Sequence, residues 1–267
     1  MNKILCKEAK QTLIVLLLVM LAAGCARTPY FQVLNASEET TVEPEEGFPV
    51  NFNVSVSIDY PEVKGDTTHV ITALRHAIVL HAFGWDFDTL DVETAAKVYV
   101  ERLTGDFKAF SEEMKSSGMY SEGSDPEIDE WYDSLTGYFA GSCKRFSSYV
   151  LEYSGYSGGG HPDAAATGIV FDLVDGVQVT LDEVIKPGSD KKLGELIRLH
   201  AAECVPEGTA GALYSPFLMP IGNFVITGQS ITFIYNPGEI GPQGLGVVQI
   251  SVPLKECRKA GVLAKGI

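Results

Sequence analysis

Basic residues are scarce in this chain. Its 267 residues hold 20 Lys and Arg against 35 Asp and Glu, a formal charge of −15. A surface that negative repels phosphate backbones and disfavours nucleic acid as a partner. Cysteine is sparse as well: five in all and no CxxC pair, so neither a dithiol redox motif nor a paired-cysteine zinc site is encoded. There is no HExxH and no GxxxxGK[ST] phosphate loop, which argues against a zincin-type metal site or a nucleotide fold. Past the N-terminus no apolar run is long enough to span a bilayer. What is plentiful is core material, 45% hydrophobic and 10% aromatic. That composition excludes disorder and long coiled coil, and the length allows one large domain or two small ones.

The first residues read as an address. Lys3, Lys7 and Lys10 form a basic region ahead of an uncharged apolar run over 13–23. As a helix that run would span about 16 Å, far short of a bilayer core of about 30 Å. It reads as a signal peptide, residues 1–24. Its end, Leu21-Ala22-Ala23-Gly24-Cys25, resembles the lipobox of bacterial lipoproteins, which implies acylation of Cys25, cleavage before it, and anchorage in the cell envelope at the outer membrane. Removing 1–24 takes away three lysines and one glutamate, a net +2, and leaves the mature chain at −17. Residues 25–48, with Ser37-Glu38-Glu39-Thr40-Thr41 and Glu43-Pro44-Glu45-Glu46, read as an acidic tether. Cys143, Cys204 and Cys257 remain, an odd number; an exported chain favours one disulfide, Cys204 with Cys257 being preferred because Cys143 lies in a strand-like segment.

Residues 51–60 alternate polar and apolar, the pattern of a half-buried strand. Helices are expected over 68–83 and 92–116, the second with Tyr99, Leu103, Phe107, Phe110 and Met114 on one face. From Gly137 the periodicity turns to strands: 138–144, 148–156, 166–173, 177–180, 224–227, 230–235 and 246–252, with one helix over 190–204. The expected fold class is α+β, a helix-rich N-terminal half followed by an antiparallel-sheet half with one packed helix.

His69, His76 and His81 are spaced seven and five apart, which puts no two imidazoles on one metal, and His200 stands alone; no metal or other cofactor is expected. Tyr156-Ser157-Gly158-Gly159-Gly160-His161-Pro162 is the most distinctive segment. Its glycines permit positive φ and close backbone approach. That leaves three roles open: a structural turn, a binding loop presenting His161, or a catalytic site with Asp163 and Asp172 nearby. Ser157 is not read as a nucleophile elbow. Glu112-Glu113 and Asp182-Glu183 read as solvated acids, and Trp131, Tyr132 and Tyr156 either fill a core or stack on sugar rings.

The segment 149–254 resembles the extracytoplasmic domain of RsiV-type, lysozyme-sensing anti-sigma factors. The resemblance is carried by Tyr156 to His161, Phe171-Asp172-Leu173 with Asp175-Gly176, Thr180-Leu181-Asp182, and Tyr235-Asn236-Pro237-Gly238-Glu239. The first half, with Ile58-Asp59-Tyr60-Pro61, resembles the PdaC-type domain that precedes it. Together they imply a PdaC-like domain over 49–147 and an RsiV-type domain over 148–267. They also imply a binding role with no catalytic residue, carried by Tyr156, Gly158, Gly159, His161, Asn236, Pro237 and Glu239. Gly238 departs from the family's tyrosine at that place. The expected function is a lipid-anchored, non-catalytic envelope protein that recognises a cationic partner such as a lysozyme-like protein, or cell-wall glycan. The rival is a hydrolase or deacetylase of envelope polysaccharide using His161 and nearby acids.

Overall fold

Strand β2 (Val50–Pro61) alternates buried and half-buried residues, because Val50, Phe52, Val54, Val56 and Ile58 take every second place and a strand turns successive side chains to opposite faces. In the computed structural model, which describes residues 31–63, 68–117 and 128–267, it lies second in a five-stranded sheet. The others are β1 (Val33–Val42), β3 (Asp129–Cys143), β4 (Phe146–Tyr156) and β5 (Asp163–Asp172), in chain order across the sheet. Every pair is antiparallel except β2 with β3. A parallel pair needs a crossover, and helices α1 (Thr68–Phe83) and α2 (Val92–Ser117) belong to it. Both helices pack on the apolar face, where Ile58, Leu74, Ile78, Ala95, Tyr149 and Ile169 share one core.

The rest of the chain builds a second layer. It contains α3 (Leu181–Val184), α4 (Asp190–Ala201), β6 (Phe224–Ile226), β7 (Ser230–Tyr235), β8 (Val248–Pro253) and α5 (Leu254–Ala260). Strands β6-β7-β8 form an antiparallel sheet, whose core holds Leu193, Ile197, Phe233, Ile250, Val252 and Cys257. A small cluster of Val150, Ala166, Val225 and Ile234 joins the two sheets. Gly168 makes the junction sterically feasible: a Cβ there would stand 2.6 Å from the Phe224 carbonyl oxygen.

The outer edge of β5 is closed by side chains and a loop. Asn223 Oδ1 accepts from the Gly168 amide at 2.7 Å while its Nδ2 donates to the Ala166 carbonyl at 2.9 Å. Asn236 Oδ1 accepts from the Ala166 amide at 2.7 Å, and the Val179 amide donates to the Val170 carbonyl at 2.7 Å. An edge that would otherwise invite another chain is thus spoken for.

The α+β class stands, and α1 has the expected bounds. Several finer expectations are corrected. The tether expected over 25–48 contains β1: its acids sit on an edge strand whose polar side chains face water, which is compatible with pairing. Phe48, also in that stretch, is 1% exposed under Phe107 and Trp131. The boundary at 147/148 falls inside β4, which pairs with β3 on both sides of it, Ser142 with Ser147 and Gly141 with Ser148. Residues 177–180 make a single bridge, Phe171 with Gln178, because the Asp175-Gly176 turn brings only a short stretch alongside β5. Cys204 and Cys257 are free thiols, as is Cys143. Cys257 is wholly buried and behaves as a small apolar core group, with burial pushing its thiol up to about 11. Cys6 and Cys25, with the whole signal segment, lie outside the described residues.

Candidate ligand-binding face

The alternation that buries one face of the five-stranded sheet presents a polar array on the other. From β2 come Asn51, Asn53, Ser55, Ser57 and Asp59, all half-buried. From β3 come Glu130, Tyr132, Ser134 and Thr136, and from β4 Glu152, Ser154 and Tyr156. Register sets these side by side: Ser55 beside Ser134, Ser134 beside Ser154, Thr136 beside Glu152, and Tyr132 beside Tyr156. Cross-strand hydrogen bonds order the array. Thr41 Oγ1 donates to Asn53 Oδ1 at 2.7 Å, Asn51 Nδ2 to Glu130 Oε2 at 2.8 Å, and Ser55 Oγ to Ser134 Oγ at 3.0 Å. The five strands contain no Lys, Arg or His, so the only charges this face carries are negative.

A groove of about 390 Å³ runs across one end of the face. Its floor is Thr136, Glu152, Ser154, Ala164 and Ala166, and Val247 and Gln249 form the wall contributed by the second layer. Glu152 Oε1 accepts from the Tyr138 hydroxyl at 2.9 Å; burial and the neighbouring carboxylate push that phenol up to about 12. Tyr132 and Tyr156 stand together one pleat beyond the groove, ring centroids 6.5 Å apart.

The helix-covered face holds a second carboxylate. Asp133 Oδ1 accepts from the Tyr99 hydroxyl at 3.2 Å, the Tyr153 hydroxyl also bonds it, and burial raises its carboxyl above the ordinary range. Tyr153 is pushed up to about 12 by burial and by Asp133.

The loop and turn expected to carry binding supply none of the groove's lining. Residues 157–162 close the β4–β5 hairpin. Gly158 (φ 84°) and Gly159 (φ 112°) occupy the left-handed region, and a Cβ on Gly158 would stand 3.1 Å from the Trp131 ring. These two glycines are therefore required by the turn. The stretch Gly155-Tyr156-Ser157-Gly158-Gly159 spells G-x-S-x-G, a pattern not recognised from the sequence, but it sits in a hairpin and lacks the strand–turn–helix setting of a nucleophile elbow. Tyr156 donates to the Gly159 carbonyl at 3.2 Å and is the one expected residue on the polar face. His161 is exposed, with the Pro162 carbonyl 3.3 Å from Nδ1. Asp172 cannot join it. That residue sits at the far end of β5, roughly 30 Å from Asp163 at about 3.3 Å per residue, and pairs with Arg145 at 2.7 Å.

Asn236 and Glu239 serve the fold: Asn236 closes the β5 edge, and Glu239 Oε2 accepts from the Asn236 amide at 2.7 Å, bracing the turn around Pro237. Asn236 reaches Ala166, which lines the groove, and the hairpin loop ends two residues before Ala164, so each segment touches or adjoins the lining without being part of it. Trp131 belongs to an aromatic cluster with Phe48, Phe107 and Phe110. His81 and His200 pair with Gln178 and Glu256, and no group of three metal-type ligands occurs among the described residues.

Such an arrangement defines an α+β scaffold with one polar sheet face left open. Residues 183–255 match the family model described as "Protein of unknown function (DUF3298)", a stretch from within α3 to the start of α5. The fold as a whole is similar to a DUF3298 family member from Bacteroides fragilis, at 21% identity and a TM-score of 0.74 over 89% of this chain and 95% of that one. A DUF3298 family protein from Pseudomonas aeruginosa is similar at 12% identity and a TM-score of 0.55, over 89% and 96%. These likenesses establish the fold. No curated protein matches the chain.

Proposed function

We propose that the protein is a lipid-anchored, non-catalytic binding protein of the cell envelope that captures its ligand on the open polar face. The observation that carries this reading is the face itself: hydroxyl, amide and carboxylate groups spread over four strands, uncovered by either helix, with a groove at one end. The lipobox-like segment ending at Cys25 supports anchorage at the outer membrane. No described helix is long and apolar enough to cross a membrane. The RsiV-type resemblance, a setting in which DUF3298 occurs, supports a captured protein such as lysozyme, or the glycan on which such proteins act. A mature charge of −17 favours a cationic partner and faster encounter at low salt. Pull-down on immobilised lysozyme and co-sedimentation with peptidoglycan test the proposal. Binding to one of them is expected, weakening as salt rises; absence of both at low and moderate salt contradicts it. Release of sugar or acetate by the purified protein would contradict the non-catalytic part.

A further inference from the structure

The groove is more specific than a polar surface patch. Among the described residues, the side chains of Thr136, Ser154 and Gln249 have no hydrogen-bond partner, and Glu152 keeps a second carboxylate oxygen beyond the one held by Tyr138. Four polar groups with free capacity therefore converge on one cavity, beside small apolar groups from Ala164, Ala166 and Val247. A ligand that suits this lining carries many hydroxyls on one side and C–H surface on the other. The tyrosine pair extends the same track. Tyr132 and Tyr156 lie two residues along their strands from Ser134 and Ser154, and four from Thr136 and Glu152, so the track runs roughly 13 Å. Aromatic faces beside hydroxyl donors suit the amphipathic rings of a saccharide.

A peptide strand is a poorer occupant. Strand addition needs a free sheet edge, and along β5 the main-chain groups of Ala166, Gly168 and Val170 are already taken by Asn236, Asn223 and Val179. Charge narrows the sugar class. The strands that build the face offer carboxylates and no cation, so uronic or phosphorylated sugars would meet like charge, whereas an ammonium finds Glu152 at the groove floor.

We infer that the groove binds an oligosaccharide through an amino sugar, its ammonium against Glu152, its hydroxyls on Thr136, Ser154 and Gln249, and a following ring stacked on Tyr132 and Tyr156. This rests on the binding role proposed above and names the ligand class for that face.

Titration calorimetry of the mature full-length protein with a glucosamine tetramer tests it, using the N-acetylated tetramer, a glucose tetramer and a trilysine peptide as comparisons. The glucosamine tetramer should bind at least tenfold tighter than the other sugars. Glu152→Gln should remove that preference, and Tyr156→Ala should weaken both amino and neutral sugars severalfold, with melting temperatures near that of the parent. Equal affinity for the N-acetylated tetramer, or binding unchanged in both variants, overturns the inference. So does trilysine binding that depends on Glu152 while the sugars fail. Co-sedimentation with peptidoglycan by the Glu152→Gln and Tyr156→Ala proteins separates the two claims: retention at parental strength there overturns the groove assignment and leaves the binding role standing.

Discussion

At the scale of single residues, the sequence marks chemistry by type, and the fold decides its use. Asn236, Glu239 and the glycines at 158 and 159 stand out in the sequence, yet each has a structural job. Asn236 closes a strand edge, Glu239 holds its own turn, and the glycines supply positive φ. Glu152, Thr136 and Ser154 carry no motif, since nothing in a strand's own sequence tells which face will stay open. Asp133 is another silent position. Burial raises its carboxyl, so its ionised form is disfavoured in the folded state. Its stabilising share is complete below the unfolded value near 4 and lost as pH rises through the folded one. Asp133→Asn should therefore raise the melting temperature at pH 7, with the gain shrinking towards pH 4. A gain that is constant with pH, or a loss at pH 7, would contradict this account of the Tyr99–Asp133–Tyr153 cluster.

At the scale of elements, periodicity shows what each segment is and stays silent on where it goes. Helix α1 and the alternation of β2 are readable because 3.6- and 2-residue spacings are local properties. β1 is hidden by its acids, and the β2–β3 pairing by distance, since it sets Ser55 beside Ser134 across two helices. The polar half of β2 is thus visible as a strand face, but the four-strand surface it belongs to is not. The join between layers depends on Asn223, whose amide satisfies the Gly168 amide and the Ala166 carbonyl. Asn223→Ala orphans both main-chain groups and should cost about 2–6 kcal/mol, at roughly 1–3 kcal/mol for each buried unsatisfied group. Urea denaturation should show an earlier midpoint at unchanged slope. A loss below about 0.5 kcal/mol would place that amide among ordinary surface positions.

At the scale of the whole molecule, two layers share one division of labour. Helices cover one face of the large sheet, the second layer covers one end of the other, and what remains open is polar and negative. Net charge was legible from composition; its confinement to carboxylates on this face required the fold. Radical footprinting of the mature protein with and without peptidoglycan fragments reads the face directly. Tyr132, Tyr138 and Tyr156 should lose reactivity on binding, while Trp85 and Tyr214, 78% and 45% exposed away from the sheet, should keep theirs. Protection of Trp85 or Tyr214 with the three sheet tyrosines unchanged would contradict the assignment of the open face as the binding surface.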